Sequence, residues 1–392
     1  MSDSTRTVAD LINAMETVAP LAGAEPWDRV GLAVGHPGDE LSGPTLLTID
    51  LTETVMEEAV QLGASAIVCY HPPIWRPLER LTDATPAERI VREAIGSNIA
   101  IYSPHTALDA AENGLTDWLC EGIAGVVETD TGHRVAADCR ALAPASLPSP
   151  TRQVKVIVFV PEDKIDQCRS AMATAGAGII GLYRVCSFST AGEGTFLPTQ
   201  GAHPTRGSVG GLERVKERRL EMVCSRSALP LVIETLRQFH PYEEPAFDIV
   251  ELLPEPHRRS GAGRKLVLDQ PATIETIGLR LRAHLDHDRI KFAVPSGDSG
   301  DEMMRIVGVV PGAGAGLLDQ AAQEGCELFV TGEMKHHDVL AAQAHGISVM
   351  LAGHTNTERG YLPRLANRLE ALLPGLSLQI SETDEDPLRV LA

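Results

Sequence analysis

The chain has 392 residues, which is more than one ordinary hydrophobic core needs, so its length predicts two or three domains. Hydrophobic residues make up 43% and charged residues 22%, as is typical of globular proteins. The formal charge of -19 argues against non-specific nucleic-acid binding, because that binding requires Lys and Arg to neutralise phosphates. No apolar run has the length of about 18 residues that a membrane span needs. Residues 1–19 lack an apolar signal core, so we expect a cytoplasmic protein without a membrane segment.

The cysteines are odd in number, widely scattered and without a CxxC pair. This pattern argues against a disulfide framework and against a thiolate zinc site. We therefore expect buried, reduced thiols at Cys69, Cys120, Cys139, Cys168, Cys186, Cys224 and Cys326.

Short apolar strands alternate with amphipathic helices over residues 1–140, which predicts the first half of an α/β core. The predicted helices cover 7–18, 52–62, 86–97 and 115–121, and the predicted strands cover 46–51, 66–70 and 99–102.

A histidine follows the carboxyl end of a predicted strand three times, at His71, His105 and His354. In open α/β sheets the ligand crevice lies outside the carboxyl ends of the strands, so these histidines would converge if their strands share a sheet. Asp109 and Glu358 each lie four residues beyond such a histidine, a spacing that puts two side chains on one face of a starting helix.

Three imidazoles and two carboxylates are enough ligands for two metal ions. This mixture suits Zn, Fe, Mn or Co better than Mg or Ca, which prefer oxygen ligands. Simpler interpretations exist for each residue. His354 and Glu358 could merely begin a helix, His71 could pack on Trp75, and His105 could orient Asp109 instead of binding metal.

Residues 141–152 are rich in Ala, Pro and Ser and are interpreted as a linker. Two successive βαβ patterns follow over 153–253 and predict an inserted ferredoxin-like α+β domain. Its predicted strands are 154–160, 183–189, 219–224 and 246–253, its helices are 163–175 and 228–240, and a loop covers 190–213. A second polar, proline-containing linker is predicted at 254–263.

The α/β pattern returns over 264–392, which predicts the second half of the core. The predicted strands are 265–268, 290–294, 304–310, 328–330 and 347–351, and the predicted helices are 274–285, 317–324 and 358–373, before an acidic tail. The glycine-rich run 311–316 lacks a Walker lysine and is interpreted as a loop rather than a phosphate site.

The turn 331–338 carries four polar residues that could contact a metal ligand or substrate, or could simply face solvent: Glu333, Lys335, His336 and His337.

Four segments in this order, 69–78, 102–117, 331–338 and 353–362, resemble the signatures of the dinuclear-metal-centre hexameric protein family. Its members are also called NIF-three-like proteins or GTP cyclohydrolase 1 type 2 homologues. The resemblance covers essentially the full length and implies a toroidal homohexamer with a small-molecule substrate.

The inserted domain has a likeness of its own. Segments 192–196, 207–213 and 240–246 resemble the CutA-like and PII-like insert of the longer family members. Such inserts are trimeric modules elsewhere, which is compatible with a hexameric ring. No signalling ligand is implied.

The family resemblance implies metal ligands at His71, Asp109, His354 and Glu358. The family pattern has two adjacent histidines before a proline, but here the first position is Tyr70. A tyrosine must lose its proton to bind metal well, and its ordinary pKa is about 10. The resemblance therefore implies that one metal position is weaker here, or is completed by His105 or water.

These ligands would support hydrolysis, with a hydroxide shared between two metals attacking a nucleotide, phosphoester or heterocycle. The family label suggests opening of the GTP ring. A second hypothesis is a non-catalytic scaffold that handles metal or regulates, with the insert as regulator. A third is an adaptor that binds other proteins through the surface of the hexamer.

Overall fold

A computed structural model describes residues 6–129, 132–147 and 149–388. Both chain ends, residues 1–5 and 389–392, and Pro148 of the predicted first linker lie outside the described residues. The chain forms two compact units. The first comprises Met1–Ala145 and His257–Ala392, and the second is Ser146–Pro256. Among the described residues, no helix combines the length and apolar character needed to cross a membrane.

Helices and strands are numbered here in chain order. The helices are α1 (Val8–Val18), α2 (Glu53–Gln61), α3 (Pro86–Gly96), α4 (His105–Ala110), α5 (Leu115–Ala124), α6 (Ile165–Thr174), α7 (Leu229–Phe239), α8 (Ile274–Leu285), α9 (Leu318–Gln323), α10 (His336–Ala344), α11 (Asn356–Arg359) and α12 (Leu362–Leu372). The strands are β1 (Gly31–Val34), β2 (Thr45–Thr48), β3 (Ala66–Cys69), β4 (Ala100–Ser103), β5 (Val126–Thr129), β6 (Gly132–Val135), β7 (Ala137–Leu147), β8 (Val154–Pro161), β9 (Phe188–Phe196), β10 (Glu213–Cys224), β11 (Phe247–Glu251), β12 (Glu255–Ala272), β13 (Lys291–Ala293), β14 (Met304–Ala313), β15 (Leu328–Glu333), β16 (Ser348–Leu351) and β17 (Leu378–Ile380). Short 3₁₀ helices cover Leu21–Gly23, Glu162–Lys164 and Gly314–Leu317.

The first unit contains a five-stranded sheet in the order β1-β4-β3-β2-β17. Its strands β4, β3, β2 and β17 run parallel, and β1 pairs antiparallel with β4 at the edge. The predicted acidic tail is partly wrong, since β17 lies within it and pairs with β2. Three residues are too few to show a strand periodicity in the sequence.

A six-stranded sheet in the order β13-β16-β15-β14-β12-β7 completes the α/β structure of the first unit. Strands β14, β15 and β16 are parallel, while β12 and β13 pair antiparallel. The two predicted linkers are largely wrong, because β7 and β12 occupy most of them and lie side by side in this sheet. Their proline and small residues resemble a loop in the sequence, yet an edge strand such as β7 tolerates Pro144.

One hydrophobic core joins the two sheets of the first unit. It contains Leu47 and Val68 from the five-stranded sheet together with Val307 and Val330 from the six-stranded sheet. Helix α5 is buried along almost its whole length and contributes to the same core. The ends of strands from both sheets are therefore held in a fixed relation within this unit.

The predicted helix 358–373 is in fact two helices, α11 and α12. Pro363 lies in the first turn of α12, where its missing N–H costs nothing. In the middle of a longer helix the same proline would remove a hydrogen bond and clash with the preceding turn. The break leaves α11 as a single short turn that carries Glu358.

The second unit has the connectivity βαββαβ and an antiparallel sheet in the order β11-β8-β10-β9, which is a ferredoxin-like topology. Strand β9 begins later than predicted and extends into the glycine-rich segment that was interpreted as a loop. Gly194 lies in this strand opposite Val215 of β10, and the Glu217 carboxylate occupies the space beside it.

The cysteine prediction is confirmed in that all seven thiols are free, but burial holds for five of them only. Five are buried, and Cys139 and Cys186 are partly exposed.

Candidate metal centre

The three histidines that follow strand ends lie close together. The His71 ring centroid is 5.3 Å from that of His105 and 5.4 Å from that of His354. The histidines converge although the condition set for this, that their strands share one sheet, is not met. β3 and β4 belong to the five-stranded sheet and β16 belongs to the six-stranded sheet. The rings meet because the shared core holds the strand ends of both sheets near each other.

His71, His354 and Glu358 form what we call the histidine–glutamate cluster. One ligand atom from each residue lies within 4.8 Å of the others. Nε2 of His71 is 3.7 Å from Oε2 of Glu358, and Nε2 of His354 is 3.4 Å from Oε1. This donor set of two imidazoles and one carboxylate leaves room for further ligands, as catalytic zinc and non-haem iron sites do.

A carboxylate orients each histidine of the cluster by contacting Nδ1, the ring nitrogen on the side away from Glu358. Nδ1 of His71 is 2.8 Å from Oδ1 of Asp50, and Nδ1 of His354 is 3.0 Å from Oε1 of Glu333. With the proton on Nδ1 donated to the carboxylate, Nε2 keeps its lone pair and faces Glu358. Metal-binding histidines are commonly oriented in this way.

Sequence reasoning missed Asp50, although a usable signal was present. Asp50 lies two residues beyond β2, so it obeys the same strand-end rule as the histidines. Burial pushes its pKa upward, but the hydrogen bond and charge of His71 outweigh burial and hold the pKa below its ordinary value. Asp50 is therefore an ionised partner for His71 at neutral pH.

Glu358 is 1% exposed, and its Oε2 atom has no hydrogen-bond partner among the described residues. Burial raises its pKa well above the ordinary value, and the negative charges of Asp109 and Asp50 raise it further. A buried carboxylate without partners is costly unless a positive charge compensates it. A cation between Glu358 and the two histidines would remove this cost.

Gly312 leaves the space in front of the cluster open. A Cβ at this position would lie 2.5 Å from Oε1 of Glu358 and 3.1 Å from Nε2 of His354. Its φ of +60° is also a conformation that glycine adopts readily. The run 311–316, interpreted from the sequence as a loop, instead continues β14 and turns into a 3₁₀ helix beside the site.

Asp109 lies next to the cluster but is bonded to Tyr70. The Tyr70 hydroxyl donates to Oδ1 of Asp109 at 2.8 Å, and burial raises the pKa of Tyr70 well above its ordinary value. Burial also raises the pKa of Asp109 to about 6, although the nearby charges of His105 and His71 lower it. Among the described residues, Asp109 is not one of the ligands that lie within 4.8 Å of one another.

His105 begins α4 and is held by Asp28 rather than by Asp109. Its Nδ1 is 2.8 Å from Oδ1 of Asp28, while the Thr106 N–H donates to Oδ2 of the same carboxylate at 3.1 Å. Burial raises the pKa of Asp28, but the hydrogen bonds from His105 and from the Thr106 hydroxyl, with the charge of His105, outweigh burial and the net pKa is lowered. Asp28 was not found from the sequence, because nothing in its local pattern distinguishes it from a turn aspartate.

The other polar residues of the segment 331–338 are separate from the cluster. Glu333 contacts His354, as described above. Lys335, His336 and His337 are exposed at the start of α10. Within the described part of the chain, none of these three forms a hydrogen bond or ion pair with the cluster.

The charge around the cluster favours a cation. Carboxylates surround the three imidazoles on all the elements that meet here: Asp28, Asp50, Asp109, Glu333 and Glu358. Neighbouring Arg359 offsets them only in part: its charge lowers the pKa of Asp50 and of Glu358, but its guanidinium is already paired with Asp384. The residues present therefore fit a transition-metal ion, both in donor type and in charge.

We expect the stability of metal-free protein to depend on the pKa of Asp109. A carboxylate whose pKa is raised by folding destabilises the fold once it ionises. Stability should therefore fall by about 3 kcal/mol as the pH rises from near 3.8 through about 6. Asp109→Asn cannot ionise and should remove the part of the decline that Asp109 contributes, whereas the part contributed by Glu358, whose pKa is also raised, should remain. The free energy of unfolding is measured by urea titration at several pH values, after a chelator has removed bound metal.

The control for this experiment is Asp50→Asn. The pKa of Asp50 is lowered, so its contribution is present above its ordinary pKa and is lost only as the pH falls. Asp50→Asn should therefore keep the decline in stability between the two pH limits. An unchanged decline in Asp109→Asn would contradict the assignment to Asp109.

Asp50 should also matter for metal affinity. We expect Asp50→Asn to weaken metal binding by about 10–100-fold, because His71 loses the charge that orients and polarises its imidazole. Asp28→Asn is the matched control, since Asp28 makes the same Nδ1 contact to a histidine outside the cluster. Competition with a chromogenic chelator measures both affinities, and equal losses in the two variants would contradict the prediction.

Comparison with known proteins identifies the family. The family model described as Duf34/NIF3 (NGG1p interacting factor 3) matches residues 6–387. The chain belongs to this family. A Bacillus subtilis relative named GTP cyclohydrolase 1 type 2 homolog is 32% identical over 384 residues, covering 97% of this chain and 98% of the relative. Human NIF3-like protein 1 is 34% identical over 398 residues, covering 99% and 94%.

Solved structures share this fold. The crystal structure of a Bacillus cereus protein related to NIF3 has a TM-score of 0.67 and 29% identity, with 99% of this chain and 100% of that chain covered. A Staphylococcus aureus protein gives a TM-score of 0.78 at 24% identity, with both chains fully covered. The α/β architecture predicted from the sequence is therefore that of the NIF3 family.

Proposed function

We propose that this NIF3-family chain binds two divalent transition-metal ions, Zn, Fe, Mn or Co, and is a metal-dependent hydrolase of a nucleotide, phosphoester or heterocycle. The observation that supports this most is the orphaned, buried Glu358 facing two Nε2 atoms of correctly oriented histidines. The name of the Bacillus subtilis relative, GTP cyclohydrolase 1 type 2 homolog, agrees with a heterocyclic substrate.

The first ion would be held by His71, His354 and Glu358, and the second would involve Asp109. Ions bound there would supply Lewis acidity, which activates water and polarises the substrate. Asp50 and Glu333 keep the protons on Nδ1 of the two histidines and so present Nε2 to the centre. The Tyr70 hydroxyl stays protonated and donates a hydrogen bond to Oδ1 of Asp109. This leaves Oδ2 of Asp109 as the oxygen available to a cation.

A non-catalytic metal-handling or regulatory scaffold is the second candidate, and one observation favours it. Tyr70 occupies a position where the family pattern has a histidine, and its raised pKa keeps the phenol protonated. A protonated phenol is a poor ligand, so the position beside Asp109 would hold metal weakly. In that case one ion without turnover would be expected.

The proposal extends to assembly and location. We propose a cytoplasmic homohexamer in which the second unit acts as a CutA-like or PII-like trimeric module. The topology of that unit is compatible with this role, because it is a ferredoxin-like sandwich with its own core. Sedimentation velocity of the full chain and of a variant lacking 153–253 would test the role of the insert in assembly.

Elemental analysis and turnover decide between hydrolase and scaffold. Protein purified without chelator or affinity tag should contain about two metal equivalents, as a dinuclear hydrolytic centre requires. It should also convert at least one member of a panel of nucleotides, cyclic phosphodiesters and purine or pteridine heterocycles, and chelation should abolish the conversion. One equivalent or less after reloading, with no conversion, would leave the scaffold as the better description.

A further inference from the structure

Two tryptophans, Trp27 and Trp75, form an exposed pair beside the metal centre. Their ring centroids are 5.8 Å apart at an interplanar angle of 59°. Trp27 is 55% exposed and Trp75 is 52% exposed. Indole rings are usually well buried, so two adjacent ones in solvent leave a large aromatic surface without a partner.

The backbone around Trp27 is fixed on both sides. The Glu25 N–H donates to Oγ1 of Thr106 at 3.0 Å, and the Thr106 N–H donates to Asp28 at 3.1 Å. The Asp28 side chain is buried and also contacts His105. Trp27 therefore stands between two anchored residues, and its exposure does not come from a loose loop.

Trp75 is held with similar firmness. The His71 N–H donates to the Ile49 carbonyl at 3.0 Å at the start of its loop. The next two residues are Pro72 and Pro73, whose rings fix their own φ angles. Ile74 packs against the core of the five-stranded sheet immediately before Trp75. Both indoles are thus presented in advance of any binding event, which lowers the entropic cost of binding a ligand.

His105 connects the tryptophan pair to the metal centre. Its ring centroid is 6.1 Å from Trp27 and 5.7 Å from Trp75, and it is 5.3 Å from His71 of the histidine–glutamate cluster. One imidazole therefore separates the exposed indoles from the cluster. A ligand that covers the pair would extend to the metal centre if it has the size of a nucleoside.

The chemistry of the pair selects a flat aromatic ring. Indole faces stack on nucleobases and related heterocycles, and each such contact contributes about 1–3 kcal/mol. Two tilted rings do not form the closed aromatic cage that recognises a quaternary ammonium group. Among the described residues, no Arg or Lys side chain stacks over either indole, so both faces stay available to a planar ring.

We propose that Trp27 and Trp75 are the platform on which the planar heterocycle of the substrate stacks. The inference rests on the proposed hydrolase function, and it narrows the substrate from nucleotide, phosphoester or heterocycle to a molecule that carries a flat aromatic ring. The tryptophan pair would orient that ring while the reacting bond lies at the histidine–glutamate cluster.

Equilibrium dialysis of the full-length protein, as purified, against adenosine, guanosine and ribose tests the proposal. Chromatography of both dialysis compartments measures how much nucleoside is bound and whether any of it has been converted to another compound. We expect the nucleosides to bind and ribose not to bind. Trp27→Ala and Trp75→Ala should each raise the dissociation constant about tenfold, whereas Trp27→Phe and Trp75→Phe should keep it within about threefold.

Phe188→Ala is the matched control, because Phe188 is 66% exposed but belongs to the second unit. It should bind nucleosides like the wild type. The third tryptophan, Trp118, is buried and present in every variant, so the red shift of its emission on denaturant unfolding, together with circular dichroism, reports whether each variant is folded. The aromatic rings of the pair can therefore be changed while the fold is monitored independently.

Equal nucleoside affinity in the alanine variants and in Phe188→Ala would overturn the proposal. So would equal binding of ribose, or no binding of either nucleoside to the wild type. A change of oligomeric state in Trp27→Ala or Trp75→Ala by sedimentation velocity, with nucleoside binding unchanged, would instead assign the pair to contact with a second copy. Binding without any conversion would support the platform and count only against ring opening of the nucleoside, because nucleosides carry no phosphoester bond and hydrolysis of phosphoesters is decided by the substrate panel described above.

Discussion

Glu358→Gln is expected to lower metal affinity at the histidine–glutamate cluster by more than about 100-fold, since even the outer partners of metal ligands cost 10–100-fold. Glutamine keeps the shape of the side chain but removes the charge that faces His71 and His354. If the proposed hydrolase function is correct, turnover should be lost with the metal. Elemental analysis before and after dialysis against a weak chelator measures the change.

The stability of Glu358→Gln separates loss of metal from misfolding. In the metal-free wild type, the buried carboxylate must either hold a proton or stay ionised at a cost, because its pKa is raised well above the ordinary value. Replacing a buried, unpaired charge by a neutral group of the same size removes that cost. We therefore expect metal-free Glu358→Gln to be at least as stable as metal-free wild type at neutral pH.

Glu333→Gln is the control for this prediction. Glu333 is exposed and touches His354 from behind at Nδ1, not at the side that faces the cluster. Its loss should weaken metal binding less than the loss of Glu358. Wild-type metal content in Glu358→Gln would contradict the assignment of Glu358 as a ligand and, with it, the placement of the first ion.

The strand-end rule predicted the histidines of the site because it uses information that is local in the sequence. His71, His105 and His354 each follow a short apolar strand, and parallel strands end on a common side of the structure. The rule did not reveal that the strands belong to two sheets. That fact depends on which strands pair: β16 lies between β13 and β15, whereas β3 and β4 lie side by side in the five-stranded sheet.

The carboxylates behind the histidines required the structure. Asp28 lies 77 residues before His105, and Glu333 lies 21 residues before His354. Neither spacing matches a helical or strand period, so the pairing depends on tertiary packing alone. The Tyr70 contact to Asp109 is similar, because the sequence shows the departure from the family pattern but not which group the hydroxyl meets.

Gly312 shows most clearly why a residue with no functional group can be part of the site. In the sequence it is one of several glycines in a run that favours a loop, and nothing distinguishes it from its neighbours. In the structure its missing side chain provides the space between Glu358 and His354. Only the three-dimensional position identifies it.

Gly312→Ala should therefore impair the centre without adding or removing any ligand. The new Cβ would lie 2.5 Å from Oε1 of Glu358 and 3.1 Å from Nε2 of His354, so both ligand atoms must move. A displacement of about 1 Å at a reacting centre can cost about 100-fold in rate. We expect a loss of that order in turnover, with a parallel loss of metal affinity.

Gly325→Ala separates this effect from backbone strain. Gly325 has φ of +71°, close to the +60° of Gly312, but a Cβ at Gly325 would meet nothing within 4 Å. Both alanine variants should therefore lose about 1–2 kcal/mol of stability from the left-handed conformation. Because both variants share this strain, a loss of metal and turnover in Gly312→Ala alone must come from the new Cβ in front of the cluster. Equal losses in both variants would mean that Gly312 matters only as a turn residue.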